Sequence, residues 1–193
     1  ALGKWGTLGG LVFTNWEVIK KPDPSKFNLV YYGMDFGFND PSAVNAVAMH
    51  DGCLYVIDEL HGTEWTNQDL IREATEWGLP KDAIILADSA EPDRIMEFRR
   101  AGFRRIQGVK KGRGSRGAAY DWVKSLPKMY VAENCVETIK ELQGHKYLTD
   151  KDGNTLDEPE DENNHHIDAI LYGIRMMANQ QRRGSVKAVR RLA

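Results

Sequence analysis

The stretch Leu29-Val30-Tyr31-Tyr32-Gly33-Met34-Asp35-Phe36-Gly37, closed by Asn39-Asp40-Pro41, is an apolar run ending in a carboxylate and turn-forming residues. Its β-branched and aromatic content predicts a buried strand. Ala43 to His50 and Cys53 to Leu60 flank Asp51-Gly52, a pair suited to the positive φ angles of a two-residue hairpin turn. The fold therefore opens with a three-stranded antiparallel meander. Thr66 to Trp77 changes to a helical period, with Leu70, Ile71, Ala74 and Trp77 on one face, Thr66 and Asp69 as a capping pair, and Gly78-Leu79-Pro80 as the stop. Ala83 to Asp88 is apolar without alternation, as in a strand covered on both faces and paired in parallel. A helix from Pro92 to Gly102, a strand from Arg104 to Val109 and a helix from Ala118 to Leu126 follow. The remainder reads as a short segment Met129-Tyr130-Val131, a helix near Val136 to Leu142, a hairpin turning at Asp152-Gly153-Asn154 and a last helix from about His165 to Asn179. The order βββ-α-β-α-β-α predicts an α/β domain built on a mixed sheet with helices on both faces. Residues 1–27, with their glycines and the Pro22-Asp23-Pro24 break, read as a linker crossing the surface; residues 28–180 form the domain and 181–193 a basic tail.

A chain of 193 residues can bury one hydrophobic core without disulfides. Cys53 and Cys135 lie far apart with no metal-type spacing, which excludes a Cys/His zinc site and fits reduced, buried thiols. No apolar run approaches the roughly 18 residues of a membrane span, and the N-terminus is not signal-like. A start at Ala1 rather than Met leads us to expect a piece of a longer polypeptide. The formal net charge of −2 hides a segregation: residues 94–128 carry eleven Lys and Arg against two acids, and residues 169–193 carry six against none. Residues 1–93 and 129–168 are correspondingly acidic. The small total is a cancellation and does not exclude a nucleic-acid partner.

Asp35 and Asp88 each close an apolar strand, and a carboxylate beside a dry sheet must be paired or bound to a cation. Each also suits the plainer role of turn former at a strand end. A third candidate sits in Asn163-Asn164-His165-His166-Ile167-Asp168-Ala169, where His165 and Asp168 stand at i and i+3 on one face of the last helix. There Asp168 is equally suited to balancing the helix dipole. Three aspartates converging at a sheet edge supply the oxygen ligands that Mg²⁺ and Mn²⁺ prefer. Two such ions, about 3.5–4 Å apart, activate water and stabilise the leaving oxygen in phosphodiester hydrolysis.

The complementary half is the basic stretch Lys110-Lys111-Gly112-Arg113-Gly114-Ser115-Arg116-Gly117. Its G-x-G-x-x-G spelling lacks the βαβ setting and following acidic residue of a dinucleotide site, and no Gly-Lys-Ser/Thr makes it a Walker A loop. A flexible loop with four cations suits a nucleic-acid backbone, with Lys110, Lys111, Arg113, Ser115 and Arg116 as candidate DNA-binding residues; a merely solvated basic loop is the alternative. Asp157 to Glu162, five acids in six positions, reads as a solvated loop. His50, His61 and His145 have no evident partners in the sequence.

Four of these segments, in this order, resemble the nuclease domain of the large terminase subunit of tailed bacteriophages. They are Tyr32-Gly33-Met34-Asp35-Phe36-Gly37 with Asn39-Asp40-Pro41; Asp88-Ser89-Ala90-Glu91-Pro92; the Gly/Lys/Arg/Ser loop; and Glu162 to Ala169 with Tyr172. The resemblance covers most of residues 1–180 and implies a ribonuclease H-like fold. It implies that Asp35, Asp88 and Asp168 form a metal-binding catalytic triad for Mg²⁺ or Mn²⁺, two ions, and that His165 assists beside it. Asp40 and Glu91 would orient the ligands or help a second ion, while His166 falls outside the family position and takes no role. The implied activity is cleavage of concatemeric viral double-stranded DNA during genome packaging, in the host-cell cytoplasm and away from any membrane. The implied partners are double-stranded DNA, an ATPase motor domain in the same polypeptide, the small terminase subunit and the portal protein. Gly3 to Phe13 resembles the stretch just after the motor, so the chain is expected to be the C-terminal nuclease half. The rivals are another ribonuclease H-like enzyme of resolvase or integrase type and a non-catalytic DNA-binding or docking module.

Overall fold

The protein is described here by a computed structural model of residues 10–110, 112 and 114–178. In chain order its elements are β1 (Trp16–Ile19), β2 (Val30–Asp35), β3 (Ser42–His50), β4 (Cys53–Gly62), α1 (Asn67–Glu76), β5 (Ile84–Asp88) and α2 (Pro92–Arg100). There follow β6 (Ile106–Val109), α3 (Ser115–Ser125), β7 (Met129–Ala132), α4 (Val136–Gly144), β8 (Tyr147–Thr149), β9 (Thr155–Pro159) and α5 (His165–Gly173). Seven strands make one mixed sheet in the order β1-β7-β4-β3-β2-β5-β6. The expected meander is its centre: β2, β3 and β4 pair antiparallel, and Asp51 and Gly52 take the positive φ angles (48° and 77°) that the hairpin turn demands. β5 and β6 add in parallel beside β2, and β7 adds in parallel beside β4.

Alternation along the strands divides the core. Tyr31, Ile84 and Leu86 face one way and pack with Tyr120 and Val123 of α3, Leu142 of α4 and Ile167, Ile170 and Leu171 of α5. Met34, Ile85 and Ala87 face the other way, against Leu70 and Ala74 of α1 and Ile95 and Phe98 of α2. The helices therefore lie on both faces of a mixed sheet, as expected. At α1 the predicted cap is complete: the Thr66 side chain accepts from the Asp69 amide while Asp69 accepts from the Thr66 amide.

Three local expectations are corrected. The segment after Gly10 does not simply cross the surface: Val12 and Phe13 are buried, and Trp16–Ile19 is an edge strand parallel to β7. Its partner lies over a hundred residues downstream, and a four-residue strand with little alternation offers no local period to detect. The short segment expected at Met129-Tyr130-Val131 is one residue longer, Met129–Ala132, and is an interior strand between β1 and β4. The acidic stretch is a loop only in part, because Thr155–Pro159 pairs with Tyr147–Thr149 in a two-stranded hairpin.

His145, for which the sequence offers no partner, is buried against α3, its Nε2 2.9 Å from the Tyr120 hydroxyl. Burial, aided by the Arg116 charge, pulls its pKa down to about 4. The unfolded chain therefore binds a proton that the folded chain refuses, and stability falls as pH drops from 6.5 toward that value. Between pH 7 and pH 5 this group costs about 2 kcal/mol. Urea melts at the two pH values should show that His145→Gln loses less stability than wild type by about that amount; equal losses would show that His145 titrates normally.

Candidate functional site

The parallel register of β2 and β5 runs from Tyr31 opposite Ile84 to Met34 opposite Ala87, and its next step sets Asp35 opposite Asp88. Neighbouring strands are about 4.8 Å apart, and paired residues of parallel strands share a face. Both carboxylates thus leave the sheet side by side toward α5. Helix α5 comes unusually close to that face. A methyl group at Gly33 would collide with the carbonyl of Ala169 and lie 2.8 Å from the amide nitrogen of Gly173, so the α5 backbone rests directly on β2. This seating carries Asp168, one residue before the contact, to the ends of β2 and β5.

The three carboxylates converge electrostatically on one hydroxyl. Burial raises the pKa of the Tyr172 phenol, and the charges of Asp168, Asp35 and Asp88 all push it further up. The same hydroxyl donates to Asp88 Oδ2 at 3.5 Å. Burial also pushes the Asp168 carboxyl up to about 6; Arg116 opposes that shift and the Asp35 charge adds to it. His165 Nδ1 lies 3.1 Å from Asp35 Oδ2, and that hydrogen bond, outweighing burial, raises the imidazole above its ordinary value.

Arg116 was expected in the basic loop, but α3 begins at Ser115, so both residues occupy a first helical turn. The Arg116 guanidinium bonds Asp161 at 2.6 Å and Asp168 at 3.1 Å. It brings positive charge to Asp168, which among the described residues has no other cation at salt-bridge distance. Lys110 is exposed beyond β6, while Lys111 and Arg113 lie outside the described residues. Asp40 is exposed in the turn after β2, and its charge contributes to raising His165. Glu91 is exposed at the N-cap of α2 and makes no side-chain capping bond there.

Among the described residues no three His, Cys, Asp or Glu side chains stand as a ready-made metal cluster. Asp35 is turned to His165 and Asp168 to Arg116. As a donor set the triad nevertheless suits a hard divalent cation: three carboxylates, from two adjacent strand ends and one helix, gathered where their mutual repulsion needs positive charge.

Several supporting residues escape a reading of the sequence. Asn164, the N-cap of α5, makes no side-chain cap; instead Glu141 of α4 accepts from the amides of His166 and Ile167 at 3.1 and 2.9 Å. Burial raises the Glu141 carboxyl to about 7, against these two bonds. His166 is fully buried, with Nδ1 2.9 Å from Asn45 Oδ1 and Nε2 3.0 Å from His61 Nδ1. Asn45 donates to Thr138, whose hydroxyl donates to Glu59. Adjacent histidines therefore divide the work: His165 meets Asp35, and His166 ties α5 to β3 and β4. The signal available was Asn45, a polar residue within the apolar run of β3, and Glu59 next to Asp58 in β4.

The family model described as the terminase RNase H-like domain matches residues 35–176, a span that opens at Asp35 and runs past Asp88 and Asp168. The chain belongs to this terminase family. The PBSX phage terminase large subunit of Bacillus subtilis (strain 168) is 30% identical over 206 residues, covering 95% of this chain and 47% of that protein. The terminase large subunit of Bacillus phage SPP1 is 30% identical over 184 residues, covering 89% and 42%. The chain thus spans less than half the length of these curated relatives. The nuclease domain of the SPP1 large terminase, solved with bound Mn, superposes with a TM-score of 0.78 at 27% identity, covering 86% of this chain and 98% of that one. The P22 large terminase nuclease domain shares the fold, with a TM-score of 0.63 at 15% identity over 83% and 87% of the two chains. The ribonuclease H-like terminase fold expected from the sequence is the fold observed.

Proposed function

We propose that this terminase domain is a metal-dependent endonuclease that cuts concatemeric viral double-stranded DNA during genome packaging. The observation that carries the reading is the pairing of Asp35 and Asp88 at the adjacent ends of β2 and β5, with Tyr172 bonded to Asp88 and α5 seated on β2 so that it brings Asp168 beside them, within residues 35–176 that match the terminase family. Asp35, Asp88 and Asp168 would hold Mg²⁺ or Mn²⁺, two ions, which when bound supply an activated water and stabilise the leaving oxygen. The SPP1 relative with bound Mn supports that choice of cation.

The chain's own groups prepare the site. His165, whose imidazole the Asp35 hydrogen bond raises above its ordinary value, can exchange a proton beside the scissile phosphate. Arg116 shields Asp168 from its neighbours, and Glu141 and His166 fix the helix that presents His165 and Asp168. Asp40 and Glu91 serve as outer groups. Lys110, Lys111, Arg113, Ser115 and Arg116 belong to the side from which the DNA backbone is gripped. The partners in this reading are the ATPase motor half of the same polypeptide, the small terminase subunit and the portal protein, in the host cytoplasm; among the described residues no helix is long and apolar enough to cross a membrane.

Substrate competition tests the reading. In Mn²⁺ buffer the protein should cut plasmid and linear duplex, with neither excess four-way junction nor RNA–DNA hybrid competing better than plain duplex. Preferential inhibition by the junction would move the assignment to a resolvase, and failure to cut any DNA would reduce the chain to a binding module.

A further inference from the structure

The third carboxylate, Asp168, is the second member of a polar line on α5 and the turn after it. His165, Asp168, Tyr172 and Arg175 follow one another at intervals of three, four and three residues, which keeps them on one face of α5 and its helical continuation past Ile174. Arg175 stands seven residues after Asp168, about 10 Å along the helix axis at 1.5 Å per residue. Its Nη2 donates to Ser115 Oγ at 2.9 Å, which aims the guanidinium at the start of α3. Its Nε is buried and has no hydrogen-bond partner among the described residues. A guanidinium donor without an acceptor in a partly buried place is costly unless a ligand completes it.

A cavity of about 290 Å³ lies between these elements, with Asp168, Arg116, Tyr172, Arg175, Ser115 and Gly114 among the residues that line it. The α3 end of the cavity favours an anion. Gly114, the N-cap of α3, is in the left-handed conformation (φ 71°) and provides no side-chain cap. The Ser115 amide donates to the Gly112 carbonyl at 3.0 Å, and the helix brings the positive end of its dipole to the cavity. Among the described residues lining it, Asp168 is the one carboxylate, and Arg116 already pairs it. A guanidinium, a hydroxyl and the positive end of a helix dipole around one cavity suit phosphate oxygens.

We propose that Arg175, positioned by Ser115, forms with the N-terminal turn of α3 a phosphate subsite that holds the DNA backbone next to the cleaved bond. This rests on the nuclease reading and adds a contact to it: the acidic triad repels the backbone it must cut, and Arg175 supplies a directed cation on the same helix face. The side chain binds; it does not touch the reacting atoms.

The test uses the whole chain, a fluorescein-labelled blunt duplex in EDTA for binding, and supercoiled plasmid with Mn²⁺ for cleavage. Arg175→Gln should weaken duplex binding about tenfold at low salt, lower the slope of log K against log salt by about 0.9 for one lost phosphate, and raise KM far more than it lowers kcat. Arg175→Lys should recover the salt slope but only part of the affinity, because the fork to Ser115 and phosphate is lost. If Arg175→Gln does not fold, as judged by circular dichroism, the Lys variant decides: KM above wild type supports the subsite and wild-type KM overturns it. Wild-type affinity, slope and KM in folded Arg175→Gln would likewise overturn it while leaving the nuclease reading intact. A wild-type protein that binds duplex through Arg175 but never nicks would instead overturn the nuclease reading and keep the subsite.

Discussion

Gly33→Ala is expected to lose about 4 kcal/mol or more of stability, enough to unfold much of the population of an ordinary domain. The new methyl has nowhere to go: its neighbours are the Ala169 carbonyl and the Gly173 amide, backbone groups of α5 that cannot rotate aside. Overpacking of side chains alone costs about 1–3 kcal/mol because they can shift rotamer; here a helix must lift from the sheet. Lifting α5 withdraws His165 and Asp168 from Asp35 and Asp88, so any folded remainder should be inactive. Gly144→Ala is the control, since a methyl there meets nothing within 4 Å, and it should stay within about 0.5 kcal/mol of wild type. Urea unfolding of the three proteins measures this. Equal midpoints for Gly33→Ala and wild type would mean that α5 is not seated on β2 as described.

Asp168→Asn should abolish DNA cleavage while leaving the fold at least as stable as wild type at pH 8. The loss of rate should exceed the roughly 10–100-fold that removal of a group outside the ligand shell costs a metal site. The stability result follows from the sign of the shift. Asp168 has its carboxyl raised to about 6, so its ionised form burdens the folded state, and that burden is fully present above pH 6 and absent well below it. Asparagine removes the charge and leaves Arg116 paired with Asp161. Asp35→Asn and Asp88→Asn should be equally inactive. Plasmid nicking with Mn²⁺, read beside thermal melts at pH 8, separates the two effects. Full activity in any of the three would remove that residue from the metal site, and a collapsed melt for Asp168→Asn would make it a structural residue.

Much of this architecture was legible locally. The meander follows from Asp51-Gly52 between two β-rich runs, and the parallel β5 from its unbroken apolar sequence. Asp35 and Asp88 stood out because a carboxylate ends each apolar strand, and His165 and Asp168 because their spacing puts them on one helix face. The resemblance to terminase nuclease domains added the catalytic assignment, which the composition alone did not carry. What stayed hidden depends on contacts between distant segments. β1 exists through β7, and Glu141 caps a helix other than its own. His61 and His166 meet from positions 105 residues apart. The local setting of Arg116 was obscured by a helix boundary: the glycines at 112, 114 and 117 suggested a loop through Gly117, whereas α3 begins at Ser115. Arg175 was legible in principle from its spacing to Asp168, but it became distinctive only once Ser115 was found beside it.

The central claim is that the Asp35, Asp88 and Asp168 carboxylates make this chain a metal-dependent DNA-cutting enzyme. The most direct measurement is the rate of supercoiled plasmid nicking by EDTA-stripped wild-type protein as Mn²⁺ is added back, with Asp88→Asn run in parallel. The account predicts no nicking without metal, a rate that rises and saturates with Mn²⁺, and none at any Mn²⁺ concentration for the variant. Nicking that persists in EDTA, or a wild-type and Asp88→Asn pair that respond alike to Mn²⁺, would contradict it.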